Sequence, residues 1–417
     1  MMDSEWLRSL DKNIGQPVCF LFSLLSFFKR KNGNIPVKNI LILELFEMGA
    51  AVMAYPSICC LQKNYPKANI YCLCTDSVRE AWEVLNVIPR DHILSVESKD
   101  LFRFGRSLLR RIVQLRKIQI DLLIDLGLFM RIPSIIAFLI GAKLTSGFNR
   151  YEMEGLYRGN HYDYPVAFNQ NAHIAKNFLA LALTAINKKD DYPHLKSGID
   201  LWNYEFPHYR SNGDISAGMK RKLQAVFPDY QKQPIILVCP DVGKNLSVRN
   251  YPQELYARVI KTLLLNKPDS LVVLIGTMKD RETCGWIANE VGHKQCIDFS
   301  GRTATLTELL GLIHLAALLI GNDNGPLHFA SMTPCKILAL FSTDSPFVYG
   351  PLGNCVILYQ FYQCSPCISA FNHKHTRCTD NRCLKTLHPD LVSDYAVRLL
   401  EDRVSYHTCN NSVPYLF

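Results

Sequence analysis

Residues Gly321 to Ala330 read GNDNGPLHFA and follow the apolar run ALLI. An apolar strand, a tight turn and a helix start bring backbone N–H groups and small polar side chains to one point, which suits binding of an anion such as phosphate. Gly325 lets a ligand approach the main chain closely, and Asn324 and His328 can donate hydrogen bonds to phosphate oxygens. Asp323 is the odd member, because a carboxylate repels phosphate. It suits a role in orienting the loop through backbone N–H groups, or in reaching a sugar hydroxyl. The bland alternative is a plain Asx-type cap with His328 packed in the helix.

A second group is Cys364, Cys367, Cys378 and Cys383, spaced C-x2-C-x10-C-x4-C with His373 and His375 between. Two thiolate pairs on a loop-rich segment have the spacing of a structural tetrahedral zinc site; free thiols or a disulfide pair are the alternatives. The chain has fifteen Cys. Many lie inside apolar runs such as ICCL and IYCLC, which fits buried thiols in a reducing cytosol better than a secreted disulfide scaffold.

The elements that must position these groups follow from periodicity. From Asn39 the pattern alternates strand and helix: NILILEL, GAAVMAYPSICCLQKNYP, ANIYCLCT, SVREAWEVL, DHILSVE, LFRFGRSLLRRIVQLRK, DLLIDLGLF, RIPSIIAFLIGA and KLTSGF. Residues from about Asn149 to Gly213 are rich in Tyr, Asn, His and Pro and read as long connections and an interdomain linker. The alternation restarts at PIILVCP and runs to CKILALF. Such a pattern predicts two α/β halves, each a parallel sheet wound with helices. No GxGxxG follows the first strand of either half, which disfavours a dinucleotide oxidoreductase.

At 417 residues with a hydrophobic share of 48%, the chain is long enough for two cores, and its formal charge of +9 favours an anionic partner. Nucleic acid is disfavoured, since no known module accompanies the charge. The apolar run Val18 to Phe28 precedes Lys29, Arg30 and Lys31 and is too short to span a bilayer. It suits a membrane interface, or a helix packed on the protein's own core. The Arg-rich helix around Arg103, Arg106, Arg110 and Arg111 reads as a basic amphipathic face, either merely solvated or attractive to anionic lipid or a phosphorylated glycolipid.

The stretch GNDNGPLHFASMTPCKILALFSTDSPFVYGPLG resembles the signature of glycosyltransferase family 9, the ADP-heptose:lipopolysaccharide heptosyltransferases. Gly321, Asp323, Gly325, His328 and Ala330 match its G-x-D-T/S-G-x-x-H-x-A, with Asn324 in place of the hydroxyl residue. Pro334, Leu340, Phe341, Thr343 and Pro346 follow, and Ser342 replaces a Gly. VCPDVGKNLSVRNYPQELYARVI is similar to the family's helix entry, with Arg249 at the cationic position and Tyr251 at that of a Trp. FSGRTATLTELLGLIHLAALLIG and the first strand-turn-helix, from Asn39 to Cys74, are similar to the family as well.

The resemblance implies a GT-B fold: two Rossmann-like domains with parallel sheets facing a central cleft. With the apolar and basic N-terminus and the cysteine spacing read above, this gives residues 1–35 as a membrane-associating segment, 36–213 as an acceptor domain, 214–403 as a nucleotide-sugar domain carrying the Cys-rich loop 364–383, and 404–417 as a tail. The resemblance implies an inverting transfer of heptose or a related sugar from a nucleotide diphosphate donor (ADP-heptose or similar) to a glycolipid or glycan of the lipopolysaccharide type, at the inner face of the cytoplasmic membrane. Arg249, Asp323, Asn324, Gly325 and His328 would hold the donor, with no catalytic metal. The family's base is the Asp of its first G-D turn, where this chain has Gly49 and Ala50. Glu47 on the same loop is the nearest substitute, with Glu44 and Asp125 behind it. Because alanine cannot accept a proton, a donor-binding protein without transferase activity stands as an alternative, and a nucleotide-sugar epimerase of the same architecture as another.

Overall fold

The computed structural model describes residues 11–28, 35–128, 130–150, 156–187, 195–241, 248–370, 372, 376–404 and 415–416. Lys29, Arg30 and Lys31, His373 and His375, the segment 242–247 and most of the tail lie outside the described residues. The chain divides into two compact units, Met1–Pro207 with Ala370–His375, and His208–Ser369 with Thr376–Phe417.

The first unit opens with helix α1 (Gln16–Ser26) and continues β1 (Asn39–Leu43), α2 (Met48–Asn64), β2 (Asn69–Thr75), α3 (Asp76–Leu85), β3 (Ile93–Val96), α4 (Leu101–Ile118), β4 (Leu122–Asp125), α5 (Ile132–Ile140), β5 (Leu144–Asn149), β6 (Tyr164–Ala167) and α6 (Ile174–Asn187). Its sheet is parallel, in the order β3-β2-β1-β4-β5-β6. Leu41, Leu43, Leu94 and Leu123 pack there against Phe104 and Leu115 of α4 and Ile136 of α5. The sheet reverses direction between β1 and β4, so their carboxyl ends flank the switch point where such sheets take ligands.

The second unit comprises α7 (Gly213–Val226), β7 (Ile235–Cys239), α8 (Gln253–Asn266), β8 (Leu271–Leu274), α9 (Arg281–Val291), β9 (Cys296–Asp298), α10 (Leu306–Leu315), β10 (Leu318–Asn322), α11 (Gly325–Ala330), β11 (Lys336–Phe341), α12 (Pro346–Tyr349), β12 (Cys355–Tyr359), α13 (Arg382–Lys385), α14 (Pro389–Leu400) and β13 (Tyr415–Leu416). The strands again pair in parallel, in the order β13-β12-β11-β10-β7-β8-β9, with the switch between β7 and β10. Both faces are buried. Ile236 and Val238 of β7 enter one core with Ile260, Leu274 and Leu399, while Ile235 and Leu237 enter the other with Met219 and Leu312. That explains why the strands read as continuous apolar runs rather than as alternating ones.

The structure corrects one expectation. The stretch from Asn149 to Gly213 is not linker alone: besides connections it supplies β6 and the 14-residue helix α6, which buries Phe178, Leu179, Leu181 and Ala185. The apolar run of α6 is helical in period, but its polar and aromatic flanks dominate the local composition.

Candidate functional site

In the second unit, the carboxyl ends of β7, β10 and β11 gather the polar residues. β10 ends on Asn322, which is fully buried. Its Oδ1 accepts from the Tyr251 amide at 3.2 Å and the Tyr256 hydroxyl at 3.1 Å, and its Nδ2 donates to the Pro240 carbonyl at 2.8 Å. Every polar atom of this side chain is engaged in fixing the turn. Tyr251 is itself buried and donates its hydroxyl to the Leu387 carbonyl at 2.8 Å.

Asn324 takes the N-cap place of α11 with extended backbone, yet its side chain makes no capping bond. It reaches instead to Cys239 Sγ at 3.2 Å and the Asp241 carbonyl at 3.4 Å, tying the loop to the end of β7. Gly325 begins the helix in open space, where an added Cβ would meet nothing within 4 Å. Pro326 follows it and has no N–H, so the first turn offers fewer donors than its position suggests. His328 lies half-buried in the same short helix.

Arg249 sits nearly buried at this point, its Nη1 3.5 Å from Asp323 and its Nη2 paired with Asp344. The structure thus brings Arg249, Asp323, Asn324 and Gly325 together, and gives the guanidinium two carboxylate partners where sequence reasoning had expected only a phosphate. Asp344 was missed in the sequence. It lies in STDS just beyond the end of β11, as Asp323 lies just beyond the end of β10.

In the first unit, Glu47 is the half-buried N-cap of α2, directly before Gly49 and Ala50 in the first helical turn. Glu44 lies behind it, buried, with its Oε1 accepting the amides of Phe46 and Glu47 at 3.1 Å each. Burial first, and then the neighbouring Glu47 charge, push the Glu44 carboxyl up to about 7, against the pull of those amides. A proton held on Glu44 lessens the negative charge that Glu47 faces.

Asp125, the third carboxylate at these strand ends, is committed elsewhere. Fully buried, it accepts from Arg158 Nη2 at 2.6 Å, from the Tyr162 hydroxyl at 2.5 Å and from the Gly127 amide at 2.8 Å. A base needs a free lone pair at the substrate. Asp125 commits three acceptor positions to holding β4 and its following turn to the segment before β6.

The described cysteines are all free thiols. Cys364 is exposed, Cys367 and Cys378 half-buried and Cys383 buried. Burial raises the Cys367 and Cys383 thiols; Cys378 and Cys364 raise Cys367 further, and Cys367, Cys364 and Cys378 raise Cys383, so the four are electrostatic neighbours. Among the described residues, however, no three His, Cys, Asp or Glu side chains are placed to hold a metal ion.

Two Rossmann-like units whose polar residues collect at the switch points of parallel sheets define a GT-B architecture. The chain matches glycosyltransferase family 9 (heptosyltransferase) over residues 108–376, and it belongs to that family. Lipooligosaccharide heptosyltransferase 2 of Haemophilus influenzae is 26% identical over 329 residues, covering 76% of this chain and 86% of that protein. The solved structure of the E. coli ADP-heptose lps heptosyltransferase II superposes with a TM-score of 0.63 at 18% identity, over 88% of this chain and 100% of that one. The glycosyltransferase family 9 protein of Veillonella parvula gives 0.68 at 18% identity, over 89% and 99%. The protein is thus a glycosyltransferase of the heptosyltransferase type.

Proposed function

We propose that the protein moves heptose or a related sugar from a nucleotide diphosphate donor, ADP-heptose or similar, to a lipopolysaccharide-type acceptor, with inversion, at the inner membrane surface. The observation that carries this reading is the cluster of Arg249, Asp323, Asn324 and Gly325 at the switch point of the second sheet. The diphosphate meets the Arg249 guanidinium and the open main chain at Gly325, with His328 beside it. Glu47 removes the proton of the acceptor hydroxyl. The acceptor oxygen then bonds to the anomeric carbon as the carbon–oxygen bond to the diphosphate breaks, and the departing charge is stabilised by guanidinium and N–H dipoles.

Two similar proteins support the donor and acceptor classes: one relative is named for lipooligosaccharide, and one solved neighbour for ADP-heptose and lps. Cys364, Cys367, Cys378 and Cys383 have the spacing of a structural zinc site, but among the described residues no three of them are placed together to hold an ion, and no step of the transfer is routed through them. Metal analysis of the purified protein, with and without Cys364→Ser and Cys367→Ser, tests them for zinc.

The transfer is tested by incubating the protein with nucleotide sugars and lipopolysaccharide-type acceptors and following the anomeric configuration of the product. Glu47→Gln should keep donor affinity and lower turnover by about 10²–10⁴, the usual contribution of a positioned base. Binding of donor without product on any acceptor would point to the inactive lineage that Ala50 suggests. Conversion without acceptor would point to an epimerase.

A further inference from the structure

Helix α1 is turned inside out. Its inward side is Cys19 and Ser23 with half-buried Phe22, while Phe20, Leu21, Leu24 and Leu25 are exposed, as are Phe27 and Phe28 just after it at 82% and 89%. A helix that packs on its own protein directs its apolar stripe inward. Polar contacts hold α1 in this orientation. Ser23 Oγ accepts the Asn160 amide at 2.8 Å and meets the Tyr157 hydroxyl at 2.9 Å. Just before the helix, Asp11 accepts the Ile132 amide at 2.9 Å and pairs with buried Arg131 at 3.3 Å.

Helix α5 lies between α1 and α4. Phe22 of α1 stacks on Phe138 with ring centroids 4.1 Å apart, and Arg116 of α4 donates to the Leu139 carbonyl at 2.8 Å. α4 has six cations and no acid in its 18 residues. Arg106, Arg110 and Lys117 have no ion-pair partner among the described residues, and Arg110 and Lys117 line an open hollow of about 420 Å³ with Val113, Gln114 and Ile118. No described helix is long and apolar enough to cross a membrane.

We infer that α1 and α4 form one docking face for an anionic lipid bilayer, α1 entering the acyl boundary and the α4 cations meeting phosphate headgroups. A second copy of the chain is the poorer occupant, because a two-fold contact would set the α4 cations against the same cations of its mate. The inference deepens the peripheral location proposed above by assigning the surface. It needs no turnover, so it and the transferase reading can fail separately.

The test is flotation of the full chain with phosphatidylethanolamine–phosphatidylglycerol vesicles and with neutral phosphatidylcholine vesicles. The native chain should float with the anionic vesicles. A Phe20→Gln, Leu24→Gln, Phe27→Gln variant and an Arg106→Glu, Arg110→Glu variant should each lose about tenfold or more in partitioning, with unchanged melting temperature and ADP affinity, since all five side chains are exposed. A native chain that stays soluble, or an apolar variant that floats unchanged, overturns the inference. So does a native dimer that the apolar variant converts to monomer without any vesicle binding.

Discussion

Glu44 shows how one residue's surroundings become a property that can be measured. Its ordinary value of 4.5 is raised to about 7 in the fold, so the folded chain holds a proton that the unfolded chain has released between those limits. Stability therefore falls as pH rises through that window, and the whole cost is present above 7. At about 1.4 kcal/mol per pH unit this amounts to roughly 3 kcal/mol. Glu44→Gln keeps an oxygen for the Phe46 and Glu47 amides and removes the charge. Urea melts should find it about 2–3 kcal/mol more stable than the native chain at pH 8, with the gap closing towards pH 5. An equal offset at both pH values would show that the carboxyl is not held this way. The sequence made Glu44 and Glu47 visible as carboxylates on one loop. Which of them is enclosed depended on Phe46 and on the neighbouring strand, and no spacing reveals that.

Among the elements, the connection around β4, β5 and β6 is set by one buried ion pair. Arg158 is 2% and Asp125 0% exposed, and although desolvation is the largest single influence on the guanidinium, Asp125 and Tyr162 together with Cys19 raise its value on balance. Gly147 in β5 makes room for the ring of Tyr162, whose Cε1 would lie 2.4 Å from an added Cβ. Arg158→Ala would strand a buried carboxylate and should cost about 3–5 kcal/mol in chemical melts. Adding Asp125→Asn should recover much of the loss, and a double variant as unstable as the single one would contradict the pairing. Most helices and strands were legible from apolar period, because each strand of these parallel sheets is a short, wholly buried run. α6 was not, because its apolar face is flanked by segments whose composition resembles a linker.

For the molecule as a whole, each unit has its own core, and the proposed donor site belongs to the second. ADP at about 100 times its dissociation constant should add about 2.7 kcal/mol to the stability of the structure that binds it. Hydrogen exchange should then slow at the ends of β7, β10 and β11. Arg249→Lys keeps a charge opposite Asp323 and Asp344 but loses the fork, and should weaken ADP binding by about 1.5 kcal/mol in calorimetry. Unaltered affinity would remove Arg249 from the donor site. By itself the sequence determined the α/β class, the restart of the alternation in the second half, and the family signature from Gly321 to Pro346, since these rest on local period and residue type. Tertiary structure alone decided that Arg249 meets Asp344 from β11, that Asp125 is bound to Arg158 and Tyr162, and that α1 turns its apolar side outward. Each of these depends on which residues distant in the chain come to share a low-dielectric contact or a common face, and periodicity along one segment carries no record of that.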